Sequence, residues 1–256
     1  MSKLPVKLED INVEYSSSDS NTHQVKELLA GEIPGARVTN YTLLKDETIV
    51  FEGQTKEIYI FFLYDGNVSF VSGDRTYSYK EKAVFSEIPE KPVTVTALEP
   101  SHFIQISWSL NQEDLNDLEK NRNMFPFTKC YKDSIKYRDF YKSETTISRE
   151  VIPEGIIPRF SLGSVEAKAD DLVGQHSHPL LDQFFFTFEE NDMDLLIDCR
   201  ICNVKGNALV HIPLGSNHGV IAKGNQRIHY LWMDFASVES REQALNYFKD
   251  EHEIIK

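Results

Sequence analysis

The chain has 256 residues, of which 41% are hydrophobic and 26% charged, an ordinary composition for a protein with one large core or two smaller ones. Its formal net charge of −13 argues against a nucleic-acid partner, because duplex binding draws most of its affinity from Lys and Arg placed against phosphates. Three cysteines do not describe a disulfide framework. Without a signal-like or membrane-spanning apolar run, we expect a cytoplasmic protein with no membrane partner.

Residues 1–30 are predicted to form an N-terminal arm that ends in a short helix. Val25, Leu28 and Leu29 recur at helical spacing, and Gly31 stands just beyond the expected end of the helix. We expect this helix to pack on the β-structure that follows it.

Residues 31–110 change to a β pattern. Short runs of β-branched and aromatic residues alternate with Asp-Gly, Ser-Gly-Asp and Pro turn signals, which is typical of an antiparallel barrel or sandwich. The next segment, 111–150, is predicted to be a helix and an ordered connector. The helix, over residues 111–122, is acidic at its front and basic at its back, and the remainder lacks the Gly/Ser-rich composition of a flexible tether.

Residues 151–236 return to the β pattern, with strand-like runs such as QFFFTFEE, MDLLIDCRI and RIHYLWMDF. This region is predicted to form a second barrel. A C-terminal helix is expected over residues 237–256, because Ser240 and Gln243 have the spacing of a capping box ahead of an apolar helical face.

The second β region contains a pattern of metal ligands. His176 and His178 are separated by one residue, so both imidazoles leave the same face of a strand. Gln183 can add an oxygen after a turn, and His218 a third nitrogen from a strand that folds back alongside. Three imidazoles and one oxygen suit Mn, Fe, Co, Ni or Zn and leave coordination positions open for water or substrate.

These motifs, HxHxxxxQ followed by PxGxxH, resemble the two-part signature of the cupin superfamily. The resemblance assigns His176, His178 and His218 to the three histidine ligands, with Gln183 where that family usually has Glu. Asp182, one residue earlier, is the alternative fourth ligand, and Ala222 stands where the family pattern has Asn. The resemblance implies an all-β bicupin: two tandem antiparallel jelly-roll barrels with short flanking helices.

The first β region resembles a cupin that lacks metal ligands. When Glu57 is aligned with Gln183, the two histidine positions fall on Val50 and Glu52, neither of which completes a ligand set. We therefore expect one divalent transition metal (Mn, Ni, Zn or Fe), held by the second barrel alone, and we identify no residues that bind an organic cofactor.

Three further residues are candidates for acting on a substrate. On the strand RIHYLWMDF, alternation separates His229 from Tyr230, so either His229 is a proton shuttle near the metal or Tyr230 donates a hydrogen bond to a substrate oxygen. Both remain catalytic candidates because the sequence does not say which face looks inward. Arg159 is a candidate for binding a substrate carboxylate.

The function predicted from these residues is metal-dependent action on a small polar metabolite such as a sugar, keto acid or ureido compound. A neutral amide ligand leaves the metal its full charge, which favours Lewis-acid isomerase, lyase or hydrolase chemistry. Two alternatives remain at this point: an Fe(II)-dependent dioxygenase and a non-catalytic binding or sensor protein. Because tandem cupins commonly self-associate, the resemblance also implies a homodimer.

Overall fold

The computed structural model describes residues 7–11 and 24–236. The C-terminal helix predicted over residues 237–256 lies outside them. Nearly every described element is a strand, and no helix among them is long and apolar enough to cross a bilayer. Two compact units emerge from the contacts: an N-terminal unit, residues 11 and 24–135, and a C-terminal unit, residues 7–10 and 136–236. The prediction of an all-β protein built from antiparallel jelly-roll barrels is confirmed.

The N-terminal unit contains ten strands in two antiparallel sheets, ordered β11-β8-β5-β10-β3-β2 and β4-β9-β6-β7. One further strand, β1 (Lys7–Asp10), precedes them in the chain and belongs to the C-terminal unit. The ten strands are β2 (Gln24–Leu28), β3 (Ala36–Leu43), β4 (Thr48–Phe51), β5 (Glu57–Asp65), β6 (Val68–Ser72), β7 (Arg75–Tyr79), β8 (Ala83–Ser86), β9 (Val93–Ala97), β10 (Ser101–Ser109) and β11 (Phe127–Cys130).

Aromatic rings fill the interior of the N-terminal unit. Phe61, Phe70, Phe85 and Phe103 are fully buried, and the rings of Phe70 and Phe85 stack with centroids 4.7 Å apart. These side chains come from both sheets of the unit, so burial of their apolar surface holds the two sheets together.

The short helix predicted at the end of the arm 1–30 is wrong, because Gln24–Leu28 forms the edge strand β2. Each of its residues pairs with β3, from Gln24 opposite Thr42 to Leu28 opposite Val38. Of the apolar residues that suggested a helix, Leu28 is buried but Val25 is 47% exposed. Pairing with a neighbouring strand has therefore overridden a weak local preference for helix.

The helix predicted over residues 111–122 is confirmed as α1 (Gln112–Lys120). Asn111 caps it: its side chain accepts from the backbone N–H of Asp114, whose carboxylate accepts from the backbone N–H of Asn111. Two short 3-10 turns follow, Arg122–Met124 and Tyr131–Asp133. The segment 111–150 is not a separate connector, because its first part belongs to the N-terminal unit and residues 136–150 to the C-terminal unit.

The C-terminal unit also consists of two antiparallel sheets, with orders β1-β19-β16-β21-β14-β13-β12 and β15-β20-β17-β18. Its strands after β1 are β12 (Ile135–Tyr137), β13 (Ile147–Ile157), β14 (Phe160–Ala167), β15 (Asp171–His176), β16 (Leu181–Thr187), β17 (Asp192–Ile197), β18 (Arg200–Lys205), β19 (Ala208–Ile212), β20 (His218–Ala222) and β21 (Ile228–Ala236).

Strand β17 shows how the sequence pattern positions this core. Met193, Leu195 and Ile197 are completely buried, while the intervening Asp192 and Asp194 are not, as the period of two requires. The apolar core made by such strands occupies part of the space between the two sheets. The remaining space is a cavity that opens beside the three histidines.

Candidate metal centre and the cavity around it

The three histidines predicted from the sequence lie together. Strands β15 and β20 pair so that His176 is directly opposite His218, and His178 follows in the loop after β15. Each histidine offers a ring nitrogen, and these three atoms lie within 4.8 Å of one another. A group with this spacing can hold one metal ion.

Backbone carbonyls set the orientation of two of the imidazoles. The Nδ1 atom of His176 lies 2.8 Å from the carbonyl oxygen of Gly174, and that of His218 lies 3.0 Å from the carbonyl oxygen of Ser216. A carbonyl only accepts, so each Nδ1 carries the proton and each Nε2 keeps its lone pair for a ligand. Such outer partners are typical of histidines that bind metals.

The histidines are held neutral, which is the form that binds a metal. Burial lowers the pKa of His178 to about 3, and the adjacent imidazoles of His176 and His218 lower it further in the same direction. Burial likewise lowers the pKa of His218 to about 4, and it lowers the pKa of His176. Near neutral pH, all three lone pairs are therefore available.

Gln183 and Asp182 point to opposite faces of β16. Gln183 is 4% exposed and lines the cavity with the histidines; its Nε2 donates to Asp234 Oδ1 at 2.7 Å. Its Oε1 is buried and has no hydrogen-bond partner in the described part of the chain. Asp182 instead accepts from the Leu214 backbone N–H at 3.1 Å and lies 3.5 Å from His211. An unsatisfied buried carbonyl oxygen beside three neutral imidazoles fits a metal ligand, and Asp182 does not occupy that position.

The cavity has a volume of about 450 Å³. It is enclosed by strands of both sheets and by residues 137–142, a segment in which sequence reasoning found no functional residue. The groups along its wall that can exchange or donate a proton include Tyr137, Asp139, Lys142, Glu150, Glu154, Tyr230 and Asp234. Such a volume accommodates a small molecule.

Lys142 and Asp139 form a buried ion pair in this wall. Lys142 Nζ lies 2.5 Å from Asp139 Oδ2, and the two side chains are only 5% and 10% exposed. The ammonium also lies 4.9 Å from the ring centroid of Tyr137 and 5.4 Å from that of Tyr141. Burial lowers the pKa of Lys142, while Asp139 acts in the opposite direction. No motif marks these residues in the sequence, where they are part of a stretch rich in Tyr and Lys.

Tyr141 connects this ion pair to the histidines. Its ring stacks on that of His176, with centroids 4.2 Å apart, and its carbonyl oxygen accepts from the backbone N–H of Gly174 at 2.8 Å. The segment that carries Lys142 is thus fixed to the strand that carries His176.

Strand β21 presents Tyr230, and not His229, to the cavity. Tyr230 is 4% exposed and stacks on Phe185 with centroids 4.4 Å apart. Burial, and then the negative charges of Asp234 and Asp139, raise the pKa of Tyr230, so its hydroxyl stays a proton donor. His229, the predicted alternative as a proton shuttle, is not among the residues that line the cavity, because alternation along the strand turns it to the opposite face. There its Nδ1 lies 2.5 Å from Glu190 Oε1.

Arg159, the predicted partner of a substrate carboxylate, is not among the residues that line this cavity. Arg159 lies in the turn between β13 and β14, with a φ of 58°. Its Nη1 donates to the carbonyl oxygen of Ala236 at 3.3 Å, and its own carbonyl accepts from the Ala236 backbone N–H at 3.0 Å. The strand pairing therefore places this guanidinium at the end of β21 and away from the cavity wall.

The arrangement of the sheets is similar to that of several solved structures. A Cupin 2 conserved barrel domain protein from Leptotrichia buccalis aligns with a TM-score of 0.63 at 14% identity, over 92% of this chain and 99% of its own. The chain has the cupin fold. Lactobacillus farciminis oxalate decarboxylase aligns with a TM-score of 0.66 at 13% identity, over 97% of this chain and 94% of its own.

A third similar structure is that of Bacillus subtilis oxalate decarboxylase, a protein with Mn(II) centres. It aligns with a TM-score of 0.61 at 13% identity, over 83% of this chain and 72% of its own. No protein-family model and no curated protein matches the sequence. At these identities the likeness is one of fold alone, so the chemistry of this chain depends on its own residues.

Proposed function

We propose that this chain is a bicupin whose C-terminal unit binds one divalent transition metal and transforms a small polar metabolite without redox chemistry. The observation that carries the proposal is the unsatisfied carbonyl oxygen of Gln183, buried beside three neutral imidazoles at a cavity of about 450 Å³. His176, His178, His218 and Gln183 would hold the ion.

The donor set indicates the kind of chemistry. All four donors are neutral, so none of them cancels the charge of the ion, whereas a carboxylate ligand would remove one unit. A divalent ion held in this way supplies Lewis acidity that polarises an oxygen of a bound substrate. That property suits isomerisation, elimination and hydrolysis.

The side chains around the cluster supply the remaining functions. Asp234 accepts from the amide nitrogen of Gln183 and so fixes which end of the amide is free to bind the ion. Tyr230 keeps its proton and can donate a hydrogen bond to a substrate oxygen. Asp139 and Asp234 are carboxylates in the same wall and can accept a proton from a substrate carbon or oxygen.

Metal content tests the first part of the proposal. The whole chain, purified without added metal or chelator, is expected to carry stoichiometric metal by inductively coupled plasma mass spectrometry. The double variant His176→Ala/His178→Ala should carry none. His102→Ala is the matched control, since this half-buried histidine belongs to the N-terminal unit and contacts Thr42. Full metal occupancy in the double variant would show that the ion binds elsewhere.

Proton exchange tests the second part. The metal-loaded protein is incubated in D₂O with a panel of sugars, keto acids and ureido compounds, and proton NMR follows product formation and loss of C–H signals. The double variant is the control. An oxygen electrode monitors the same mixtures. Turnover that consumes dioxygen would refute non-redox chemistry in favour of a dioxygenase, and absence of any turnover with tight binding of a panel member would favour a binding protein.

A further inference from the structure

The buried ion pair of Lys142 and Asp139 restricts the kind of ligand that the cavity can bind. An ammonium carries three N–H donors. One is used by Asp139 at 2.5 Å, and a second is directed to the hydroxyl of Tyr137 at 3.4 Å. The third has no protein acceptor among the described residues, although Lys142 is only 8% exposed and lines the cavity. A buried charged donor without an acceptor is costly, so a ligand that accepts there would be favoured.

The buried charges around the cavity point to the sign of that ligand. The three imidazoles and the amide of Gln183 are neutral, so a divalent ion would bring two positive charges. Lys142 and Asp139 cancel each other, and Asp234 removes one positive charge. The enclosed part of the site is then left with one uncompensated positive charge, which a single negative charge on the ligand would neutralise.

The remaining charged residues of the wall do not change this balance. Arg138 and Glu154 are exposed, and Glu150 is half-buried. Arg138 is moreover paired with Glu144 at 3.4 Å. Water screens charges in such positions, so they influence the approach of a ligand more than its binding inside the cavity.

We infer that the cavity selects a small carboxylic acid that binds as a monoanion, and that Lys142 is the residue that recognises its carboxylate. The inference deepens the proposed function and rests on it, because the charge balance includes the metal. The free N–H of Lys142 donates to a carboxylate oxygen, and Asp139 positions the ammonium. The aromatic rings of Tyr137 and Tyr141 flank the ammonium, which further stabilises a cation in this position.

Isothermal titration calorimetry of the Mn²⁺-loaded whole chain tests the inference. The probes are glycolate, lactate and pyruvate, each compared with its uncharged amide of the same shape. At least one acid is expected to bind at least about 10-fold more tightly than its amide, since a charge-assisted hydrogen bond is lost with the negative charge. Lys142→Met should weaken binding of that acid by about 10-fold or more and weaken binding of the amide less, since the amide oxygen accepts a hydrogen bond but carries no charge.

Lys136→Met is the matched control, because Lys136 is an exposed residue of β12 in the same segment and does not line the cavity. It should bind the acids as the wild type does. Removing Lys142 alone leaves Asp139 buried without its cation, so Asp139→Asn/Lys142→Met is made as well, which removes both charges and maintains the shape of the pair. If the single variant fails to fold, the double variant takes its place. It is expected to bind the acid about 10-fold more weakly, because the donor to the carboxylate is lost, while the charge of the metal keeps part of the preference for acid over amide.

The outcomes separate the two proposals. If the wild type takes up no metal, the proposed function fails. If metal content is normal but no acid of the panel binds better than its amide, the assignment of a carboxylic acid is wrong. If the acids bind the wild type and the Lys142 variants equally well, Lys142 does not recognise the carboxylate.

Discussion

Replacement of Gln183 is the sharpest test of the metal centre, because its neighbour Asp182 provides a control one residue away. In the structure only Gln183 faces the cavity, where its Oε1 has no partner within the described residues and its Nε2 donates to Asp234 at 2.7 Å. Gln183→Ala would remove one of the four proposed donors to the ion. Asp234 is not one of these donors, but its hydrogen bond to Gln183 orients the amide.

The expected sizes of the effects follow from these positions. Loss of an outer partner typically weakens metal binding by about 10–100-fold, so Asp234→Asn should fall in that range. Gln183→Ala, which removes the proposed ligand itself, should lower metal affinity by more than the loss of an outer partner does, about 100-fold or more. Asp182→Ala should change metal affinity by no more than about twofold, because the Asp182 carboxylate contacts Leu214 and His211 on the other face of the strand. A twofold change corresponds to ~0.5 kcal/mol of binding free energy.

Competition against a chelating indicator dye measures the three affinities, and thermal unfolding of the metal-free proteins shows whether each variant is folded. Gln183→Ala also leaves Asp234 without this donor, so the metal-free variant should lose about 1–3 kcal/mol of stability. A larger loss of metal affinity in Asp182→Ala than in Gln183→Ala would mean that the register of β16 is shifted by one residue, and the assignment of the fourth ligand would be abandoned.

Three other predictions concern stability and assembly. Burial raises the pKa of Asp171, but hydrogen bonds from Ser143, Thr145, Thr146 and the backbone N–H of Leu172 together lower it by more, so the net shift is downward. Its contribution to stability is therefore present above the ordinary Asp pKa of about 3.9 and is lost as the pH falls below it, so wild type should lose more stability than Asp171→Asn between roughly pH 5 and 3 in urea titrations. Residues 140–256 expressed alone lack β1 and β12 and should be insoluble or without tertiary structure by near-UV circular dichroism; a soluble fragment with wild-type metal affinity would contradict this. Light scattering should give twice the chain mass, since tandem cupins commonly pair; a monomer at micromolar concentration would exclude it.

Much of the candidate metal centre could be predicted from the sequence because its determinants are local. The HxH spacing, the five-residue step to Gln183 and the PxGxxH motif each concern neighbours along the chain. Strand alternation, as in β17, follows directly from the period of the pattern. The general class of fold followed from the same patterns.

Other features depended on contacts between distant residues. A period of two shows that His229 and Tyr230 point to opposite faces, but both faces of β21 are buried, so hydrophobicity does not distinguish the inner face. The sequence 24–28 satisfies helical spacing, and only the presence of β3 alongside makes it a strand.

The sequence by itself determined that this protein is a β-rich chain with a histidine motif in its second half, because strand periodicity and ligand spacing are encoded over a few residues. Only the tertiary structure decided what surrounds the motif. Lys142 and Asp139 are more than thirty residues from His176 along the chain, and stacking of Tyr141 on His176 is what brings their segment to the cavity. The charge of a site depends on which distant segments of the chain pack around it. No local sequence pattern specifies which segments those are.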